Sequence, residues 1–445
     1  MTGADDIASG PATGDGERLR AAQPGIRDEQ TAGVLGALSP TARRILKAAF
    51  RVLERDGYEA LSLRRIAQEA GETRSLIAYH FENKAGLVTT LVDSLWHDAD
   101  ISLAQEVDGL AADPRGRVLA LTGLHHRLAR EEGLYRTYFE LLPHVLRDGE
   151  ARARLTRTYR SYRHIGELCL APGPAGGDAL PLATLMLAIG EGIAVEVLVS
   201  GDSSMLAPAF ADLGRRAARH LGIEPDDEPP APAAVRAALP SVPPDGADAA
   251  VAPLEGMEDP AARLTPAGVR VLEAAVALAS DEGLRAVTAE ALARATGEPS
   301  SSVLYYFGDK RGLIASVVAE SDFRFARAVA KAARGVAPQR PAPAAVAGVL
   351  QRVFEQPGWM RLFFDVLPVL LRDDALRTRE AAFLGQLRLG PTALLRRDGV
   401  GEDQSPLLAL LSQSLVLGLA IQKLVDPRGV PVAAAIDTWQ ALLEQ

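Results

Sequence analysis

The chain repeats itself, and this repeat limits its architecture more than any other feature of the sequence. Placing Leu38 on Leu264 aligns fifty residues without a gap at a constant offset of 226, and 17 of the 50 positions are identical. The likeness resumes where residues 133–148 match residues 358–373, and again where GIAVEVLV in the first copy matches GLAIQKLV in the second. Because the copies are similar along most of their length, the sequence predicts two homologous halves.

Helix signals fall at equivalent places in the two halves. In the first half, Ser39-Pro40 is typical of an N-cap followed by proline in the first turn, and apolar residues then recur at helical spacing until Gly57. A second cap at Ser62 and a glycine turn at Gly71 predict two further short helices. Three helices with a tight turn between the second and third are what a helix-turn-helix requires, since its last helix must enter the major groove.

Composition favours helices over strands in the rest of the chain. Aromatic residues make up only 5% of the sequence, while Ala, Leu, Arg and Glu are abundant, so we predict an all-α fold. A stretch rich in Pro, Ala and acids between the halves predicts a linker. The Gly- and Asp-rich N-terminus predicts a disordered tail. The predicted segments are a tail (1–37), a first helix-turn-helix domain (38–90), a first effector and dimerisation domain (91–222), the linker (223–263), a second helix-turn-helix domain (264–316) and a second effector and dimerisation domain (317–445).

Several classes of protein are excluded by what the sequence lacks. Cys169 is the single cysteine, so neither an internal disulfide nor a multi-cysteine zinc site can form. No G-x-S-x-G elbow, P-loop, H-E-x-x-H or paired-glycine dinucleotide motif is present, and we therefore predict no catalytic residue, no cofactor and no metal site. The N-terminus shows no secretory signal, which predicts a cytoplasmic protein.

Two apolar stretches could be mistaken for membrane spans. Residues 181–199 contain Glu191 and Glu196, and residues 406–425 contain polar side chains as well. Neither stretch is a clean span of about 20 residues. We interpret both as buried helices of a bundle and predict no membrane association.

The segment LSLRRIAQEAGETRSLIAYHFENKAGL, residues 61–87, closely resembles the DNA-binding signature of the TetR family, and residues 287–313 resemble it more loosely. The resemblance implies a double-stranded DNA operator as a partner. In the first helix-turn-helix domain, called the first reader below, it implies contacts from the start of the second helix and from the recognition helix. The implied DNA-binding residues are Arg64, Arg65, Thr73, Arg74, Ser75, Tyr79, His80 and Lys84 in the first reader, and Ser300, Ser301, Ser302, Tyr305, Tyr306 and Lys310 in the second.

The two readers differ in charge. Residues 38–87 carry nine basic and six acidic side chains, whereas residues 264–313 carry five and six. No Arg or Lys lies between Arg294 and Lys310. Because phosphate neutralisation supplies most sequence-independent affinity for DNA, the second reader should bind more weakly or recognise a different half-site.

The resemblance also implies that the last two helices of each half, about residues 181–220 and 405–444, form a four-helix bundle. Both pairs are present in one chain, so we predict an intramolecular pseudo-dimer that places two recognition helices about 34 to 36 Å apart. Each bundle should hold a pocket for a small-molecule effector that releases the operator. Candidate pocket residues, for which core packing is the alternative role, are Tyr135, Tyr138, Phe139, His144, Trp359, Phe363, Phe364 and Gln413. The sequence leaves one other function open, a degenerate regulator that binds an effector or a protein without binding an operator.

Overall fold

The computed structural model describes residues 38–95, 113–130, 132–171, 179–224, 254–336, 340–355 and 358–445. Within these residues every regular element is a helix, which confirms the predicted all-α fold class. The predicted tail over residues 1–37 and most of the predicted linker, residues 225–253, lie outside the described residues.

The first half opens with the helix-turn-helix unit and continues into longer helices. Its described helices are α1 (Pro40–Asp56), α2 (Leu63–Ala70), α3 (Arg74–Phe81), α4 (described over 84–95), α5 (Pro114–Arg130), α6 (Glu132–Val145), α7 (Gly149–Leu170), α8 (Leu180–Ser200) and α9 (Leu206–His220).

The second half follows the same order, helix for helix. Its described helices are α10 (Pro266–Glu282), α11 (Ala289–Thr296), α12 (Ser300–Tyr305), α13 (Lys310–Arg334), α14 (Ala342–Phe354), α15 (Gly358–Leu370), α16 (Asp374–Arg397), α17 (Gln404–Val425) and α18 (Val432–Leu443).

Local signals set where these helices begin. The Ser39 side chain accepts a hydrogen bond from the Ala42 N–H at 3.1 Å, and the Ser62 side chain accepts one from the Arg65 N–H at 3.2 Å. Such caps satisfy backbone donors that have no partner inside the helix, and each stabilises the helix by about 1 kcal/mol. The same role falls to Asn83, Thr265, Thr288 and Asp309.

The two apolar helices α8 and α17 form the centre of the molecule. Both are long and apolar enough to cross a membrane, yet all of the most apolar 18-residue stretch of α8 and 83% of that of α17 are buried by the rest of the chain. The two helices cross at Gly192 and Gly418. A Cβ at Gly192 would come within 1.9 Å of the Ser414 carbonyl oxygen, and one at Gly418 within 1.8 Å of the Ala188 carbonyl oxygen. Glycine at both positions therefore permits this close backbone approach.

Equivalent positions of the two halves meet each other. The Phe139 and Phe364 rings stack with centroids 6.2 Å apart, and these residues differ by 225 in number. The Arg216 guanidinium donates to the Leu442 carbonyl at 2.7 Å, at an offset of 226. Self-contact of equivalent positions is the property of a twofold interface, so the halves of one chain pack against each other about a pseudo-twofold axis.

Ion pairs across the halves flank this contact. Arg163 on α7 donates to Asp426 at 2.6 Å, and Arg388 on α16 donates to Glu196 at 2.8 Å. Arg163 and Arg388 differ by 225, so each half reaches into the other with an equivalent arginine. Their partners are buried acids, which orient the two halves by directed, charge-assisted hydrogen bonds.

The end of the predicted linker is packed onto the second half. Leu254 is buried, and Pro260–Arg263 form a turn of 3₁₀ helix directly before α10. Composition predicted only a linker over residues 223–263, because a segment this rich in Pro, Ala and acids holds no periodic apolar face.

Candidate nucleic-acid interface

The first reader is built around α3, whose two faces have different roles. Ile77 and Phe81 on this helix are buried against α1 and α2. Gly71 ends α2 in the left-handed region at φ 68°, which makes the turn into α3 tight. Thr73 caps α3, and its side chain accepts from the Leu76 N–H at 3.2 Å. The opposite face of α3 is thus held rigidly toward solvent.

That outward face carries most of the residues expected to contact DNA. Thr73, Arg74 and Ser75 are exposed at the start of α3, and Arg64 is exposed at the start of α2. The Tyr79 side chain is 81% exposed, which is unusual for a large aromatic ring and distinguishes it from a core residue. Within the described residues, neither Arg64 nor Arg74 forms an ion pair. The face therefore presents free guanidinium groups and a phenol, which are donors suited to phosphates and base edges.

Three expected DNA-binding residues have partners inside the protein or limited exposure. Arg65 forms an ion pair with Asp56 at 2.9 Å, and His80 is half-buried. Lys84, the first residue of α4, lies with its Nζ 4.1 Å from the centroid of the Tyr58 ring. Burial and the nearby Arg285 lower the pKa of Lys84. Their roles on DNA remain predictions.

Several basic side chains of the first reader are engaged in surface ion pairs. Arg51 pairs with Glu69 at 2.9 Å, and Arg55 pairs with the same carboxylate at 3.1 Å. Arg44 pairs with Glu72, and the equivalent pair, Arg270 with Glu298, recurs in the second reader. Exposed pairs of this kind contribute roughly 0 to 1 kcal/mol each, so they add little to the stability of the reader.

The second reader has the same shape and a different surface. Ser300 and Ser301 are exposed and Ser302 is half-buried, while Val303 faces the core. The Tyr305 side chain is 84% exposed, at the position equivalent to Tyr79. The expected contacts Tyr306 and Lys310 are half-buried and exposed, respectively. The recognition helix of the second reader therefore offers hydroxyl groups where the first offers a guanidinium.

The expected effector-pocket residues of the first half fall into two groups. Tyr135, Tyr138 and Phe139 on α6 are buried and contact one another through their rings. His144 lies apart from them, stacked on Tyr58 of the first reader with ring centroids 3.4 Å apart. Burial, reinforced by neighbouring cations, lowers the pKa of His144 to about 3, so the ring is neutral. His144 thus links the effector domain to the first reader.

In the second half the expected pocket residues are all largely buried. Trp359 stacks on Phe325 with centroids 4.2 Å apart, and Phe363 packs edge-on against Phe364 at 5.1 Å. The Gln413 amide is buried, and within the described residues neither its oxygen nor its nitrogen has a hydrogen-bond partner. A buried amide without a partner costs roughly 1 to 3 kcal/mol, which makes Gln413 a site where a ligand could supply the missing bonds.

A buried network of phenols and an acid lies beside the first group, and the sequence did not identify it. The Tyr138 and Tyr159 hydroxyls are 2.8 Å apart, and Tyr159 donates to Glu191 on α8. Burial raises the pKa of Glu191 to about 8, although the Tyr159 hydrogen bond opposes this shift. The only signal in the sequence was an acid within an apolar stretch, and Tyr159 lies 32 residues away from it.

The Glu191 carboxyl should make stability depend on pH. The pKa of this carboxyl is higher in the folded chain than in the unfolded chain. Its contribution to stability is therefore complete at a pH below the pKa of the unfolded chain, and it is lost as the pH rises toward about 8. We expect the urea midpoint of the wild type to decrease as the pH is raised from 5 to 8. The midpoint of Glu191→Gln should decrease less, because the amide stays neutral. Urea titrations at several pH values measure this, and parallel curves for the two proteins would contradict it.

Comparison with known proteins places these two units in a family. The family model "Bacterial regulatory proteins, tetR family" matches residues 45–91 and again residues 271–317. The probable HTH-type transcriptional regulator ArpR of Pseudomonas putida is 41% identical over 78 residues, which is 17% of this chain and 36% of that protein. The HTH-type transcriptional regulator TtgR of Pseudomonas putida is 43% identical over 65 residues, 15% of this chain and 30% of that protein.

A third relative is the uncharacterized HTH-type transcriptional regulator YvkB of Bacillus subtilis, 40% identical over 55 residues, 12% of this chain and 29% of that protein. The chain thus matches no more than 36% of the length of these curated relatives. The family model covers the helix-turn-helix units of both halves, from within α1 to within α4 and from within α10 to within α13. Both halves of the chain therefore carry the helix-turn-helix domain of the TetR family of bacterial regulatory proteins, which occurs twice in tandem.

Proposed function

We propose that this chain is a cytoplasmic DNA-binding repressor, not an enzyme, and that one chain binds one operator through two unequal readers. The observation that carries the proposal is the outward face of the first reader, where Arg64, Arg74 and Tyr79 are exposed opposite a packed core. Side chains used only for packing would not be held in this way on a rigid helix. The three relatives named above are all transcriptional regulators by name, which supports the same class of function.

A small-molecule effector is proposed to release the operator by acting through α6. This helix carries the buried aromatic residues of the first effector domain, and it also contacts the first reader. The Glu140 carboxylate accepts from the Tyr58 N–H at 3.1 Å, and His144 stacks on the same tyrosine. The ammonium of Lys84, at the start of α4, also lies over that ring. Movement of α6 would therefore shift α4 and the reader together, and DNA would weaken effector binding by the same factor.

The pairing of the halves predicts the composition of the DNA complex. Since both readers belong to one chain of 47.1 kDa, we expect one chain on one operator whose half-sites differ in sequence. Sedimentation of the chain with DNA from upstream of its own gene, together with a gel shift, measures this directly. A complex of two chains on a perfect palindrome would contradict it.

The same gel shift separates the proposal from a degenerate regulator. The second reader supports that alternative because its recognition helix begins with Pro299 and three serines and carries no cation before Lys310. Absence of any specific shift, with a folded and monodisperse protein, would favour a module that binds an effector or a protein. A specific shift abolished by Tyr79→Ala would favour the regulator.

A further inference from the structure

An arginine of the second half reaches the first reader. Arg372 follows α15, and its guanidinium donates to the Leu53 carbonyl at 3.0 Å and to the Arg55 carbonyl at 3.2 Å. Both carbonyls belong to the last turn of α1, where a cation is favoured by the helix dipole, and the Leu53 carbonyl also accepts a hydrogen bond from the Gly57 N–H at 2.9 Å. The second half therefore contacts the end of α1 through directed, charge-assisted hydrogen bonds.

An acid of the first half holds this arginine in place. The Arg372 Nε donates to Glu140 at 2.6 Å, and the other oxygen of the same carboxylate accepts from the Tyr58 N–H. Burial raises the pKa of Glu140, with Arg372 opposing that shift. Glu140 thus joins Arg372 to the corner that connects α1 with the rest of the first reader.

The corner itself has space only for glycine. Gly57 has φ 80°, and a Cβ at this position would come within 2.9 Å of the Arg372 Nε. Gly57 therefore serves the backbone turn and the approach of the guanidinium at once.

The pseudo-twofold axis repeats the arrangement at the second reader. Arg147 of the first half donates to Asp365 at 2.7 Å, and a Cβ at Gly283 would come within 2.9 Å of the Arg147 Cζ. Arg147 and Arg372 differ by 225, as do Glu140 and Asp365. The second contact is weaker in one respect, because Arg147 donates to its own Pro143 carbonyl at 2.8 Å where Arg372 donates to α1. The first reader is therefore fixed more firmly from the opposite half than the second.

We propose that each reader is positioned by an arginine of the opposite half, the first reader by Arg372 and the second by Arg147. A change in one effector domain would then reach the reader of the other half, in addition to its own. Arg147 and Arg372 are positioning residues, since both lie at the corners of the readers and away from the outward faces of α3 and α12. The consequence for DNA affinity rests on the proposed function, whereas the consequence for reader mobility does not.

Hydrogen exchange on the full chain tests reader mobility without DNA. Arg372→Ala should raise amide exchange over residues 53–61 by about tenfold or more and leave residues 279–287 unchanged. Arg147→Ala should do the reverse, with a smaller increase because it lacks the bonds to backbone carbonyls. Arg372→Lys keeps the charge and should restore part of the protection. Increases confined to the reader of the variant's own half, or no change in either reader, would overturn the proposal.

DNA affinity provides the second readout. Although Arg147 belongs to the same half as the first reader, Arg372→Ala should weaken operator binding more, by about tenfold, since it loosens the more basic reader. Arg160→Ala is the matched control, because Arg160 pairs with Asp426 across the halves without contacting a reader, and its affinity should stay at the wild-type value. A larger loss from Arg147→Ala would overturn the proposal. If the exchange pattern is as expected but the chain binds no DNA, the proposed function is refuted. The proposal that Arg372 and Arg147 position the readers then still holds.

The glycines offer an independent test of the same contact. Gly57→Ala places a methyl group 2.9 Å from Arg372 and should raise exchange over residues 53–61. Gly399→Ala also places alanine at a positive φ, 88°, with no atom within 4 Å of the new methyl, and so shows the effect of such a substitution without a contact. In a chain that already carries Arg372→Ala, Gly57→Ala should raise exchange over residues 53–61 only by the effect of its backbone strain. Full additivity of the two changes would argue against a shared contact.

Discussion

Leu442→Arg should destabilise the paired halves by about 3 to 5 kcal/mol, the usual cost of a buried charge without a partner. Leu442 is fully buried in α18, and its carbonyl already accepts a hydrogen bond from Arg216, which is only 4% exposed. Asp212 neutralises Arg216 at 2.8 Å, and the new guanidinium would have no comparable acid. Since 216 and 442 are equivalent positions, the variant also creates the contact that two first halves would form.

The midpoint of urea denaturation, followed by circular dichroism, measures this loss. Leu442→Met is the control, because a swap that conserves volume in a core costs less than about 1.5 kcal/mol. If Leu442→Arg unfolds at the wild-type midpoint, the buried interface tolerates a second guanidinium at this position, and two first halves could pair there as well as two unlike halves do.

The order of helices could be predicted from the sequence because its signals are local. Ser62 lies three residues before the amide that it caps, and Gly71 forms the turn by its own backbone conformation. Such interactions depend on neighbours in the chain, so a pattern of residue types suffices to find them. The repeat added a second, independent instance of each signal, which made the two readers recognisable as equivalent units.

The partners of charged side chains could not be predicted in the same way. Arg65 was expected at DNA, yet the fold places Asp56 at 2.9 Å from it. Lys84 was expected to face phosphate, and the fold places its ammonium over the Tyr58 ring. Both partners are set by how α1 packs on α2 and α4, which a motif does not encode.

Contacts between the halves were the least accessible to sequence reasoning. Arg372 and Glu140 are separated by 232 residues, with Glu140 inside α6 and Arg372 just after α15. The repeat predicted that the halves would pair, but it gave no register, and only the register brings Arg372 to the end of α1. In retrospect the shared pattern of an acid seven residues before an arginine, Glu140 with Arg147 and Asp365 with Arg372, was the one visible signal.

The double variant Arg64→Ala/Arg74→Ala should weaken operator binding by about 2 to 6 kcal/mol, if the two contacts are independent and each contributes about 1 to 3 kcal/mol. Both side chains are exposed, and within the described residues neither has an ion-pair partner, so stability should be unchanged. The equivalent positions of the second half hold Glu290 and Ser300, which provide a matched control.

Alanine at both of these positions should weaken binding less than the arginine double variant does, because it removes one neutral hydroxyl contact, that of Ser300, and no phosphate-neutralising cation. Anisotropy titrations at several salt concentrations separate the possible roles of the two arginines. Loss of a phosphate contact lowers the slope of log affinity against log salt by about 0.9, whereas loss of a neutral base contact leaves it unchanged. Equal losses from the two double variants would show that the readers contribute alike, and the difference in charge between them would then have no consequence for DNA.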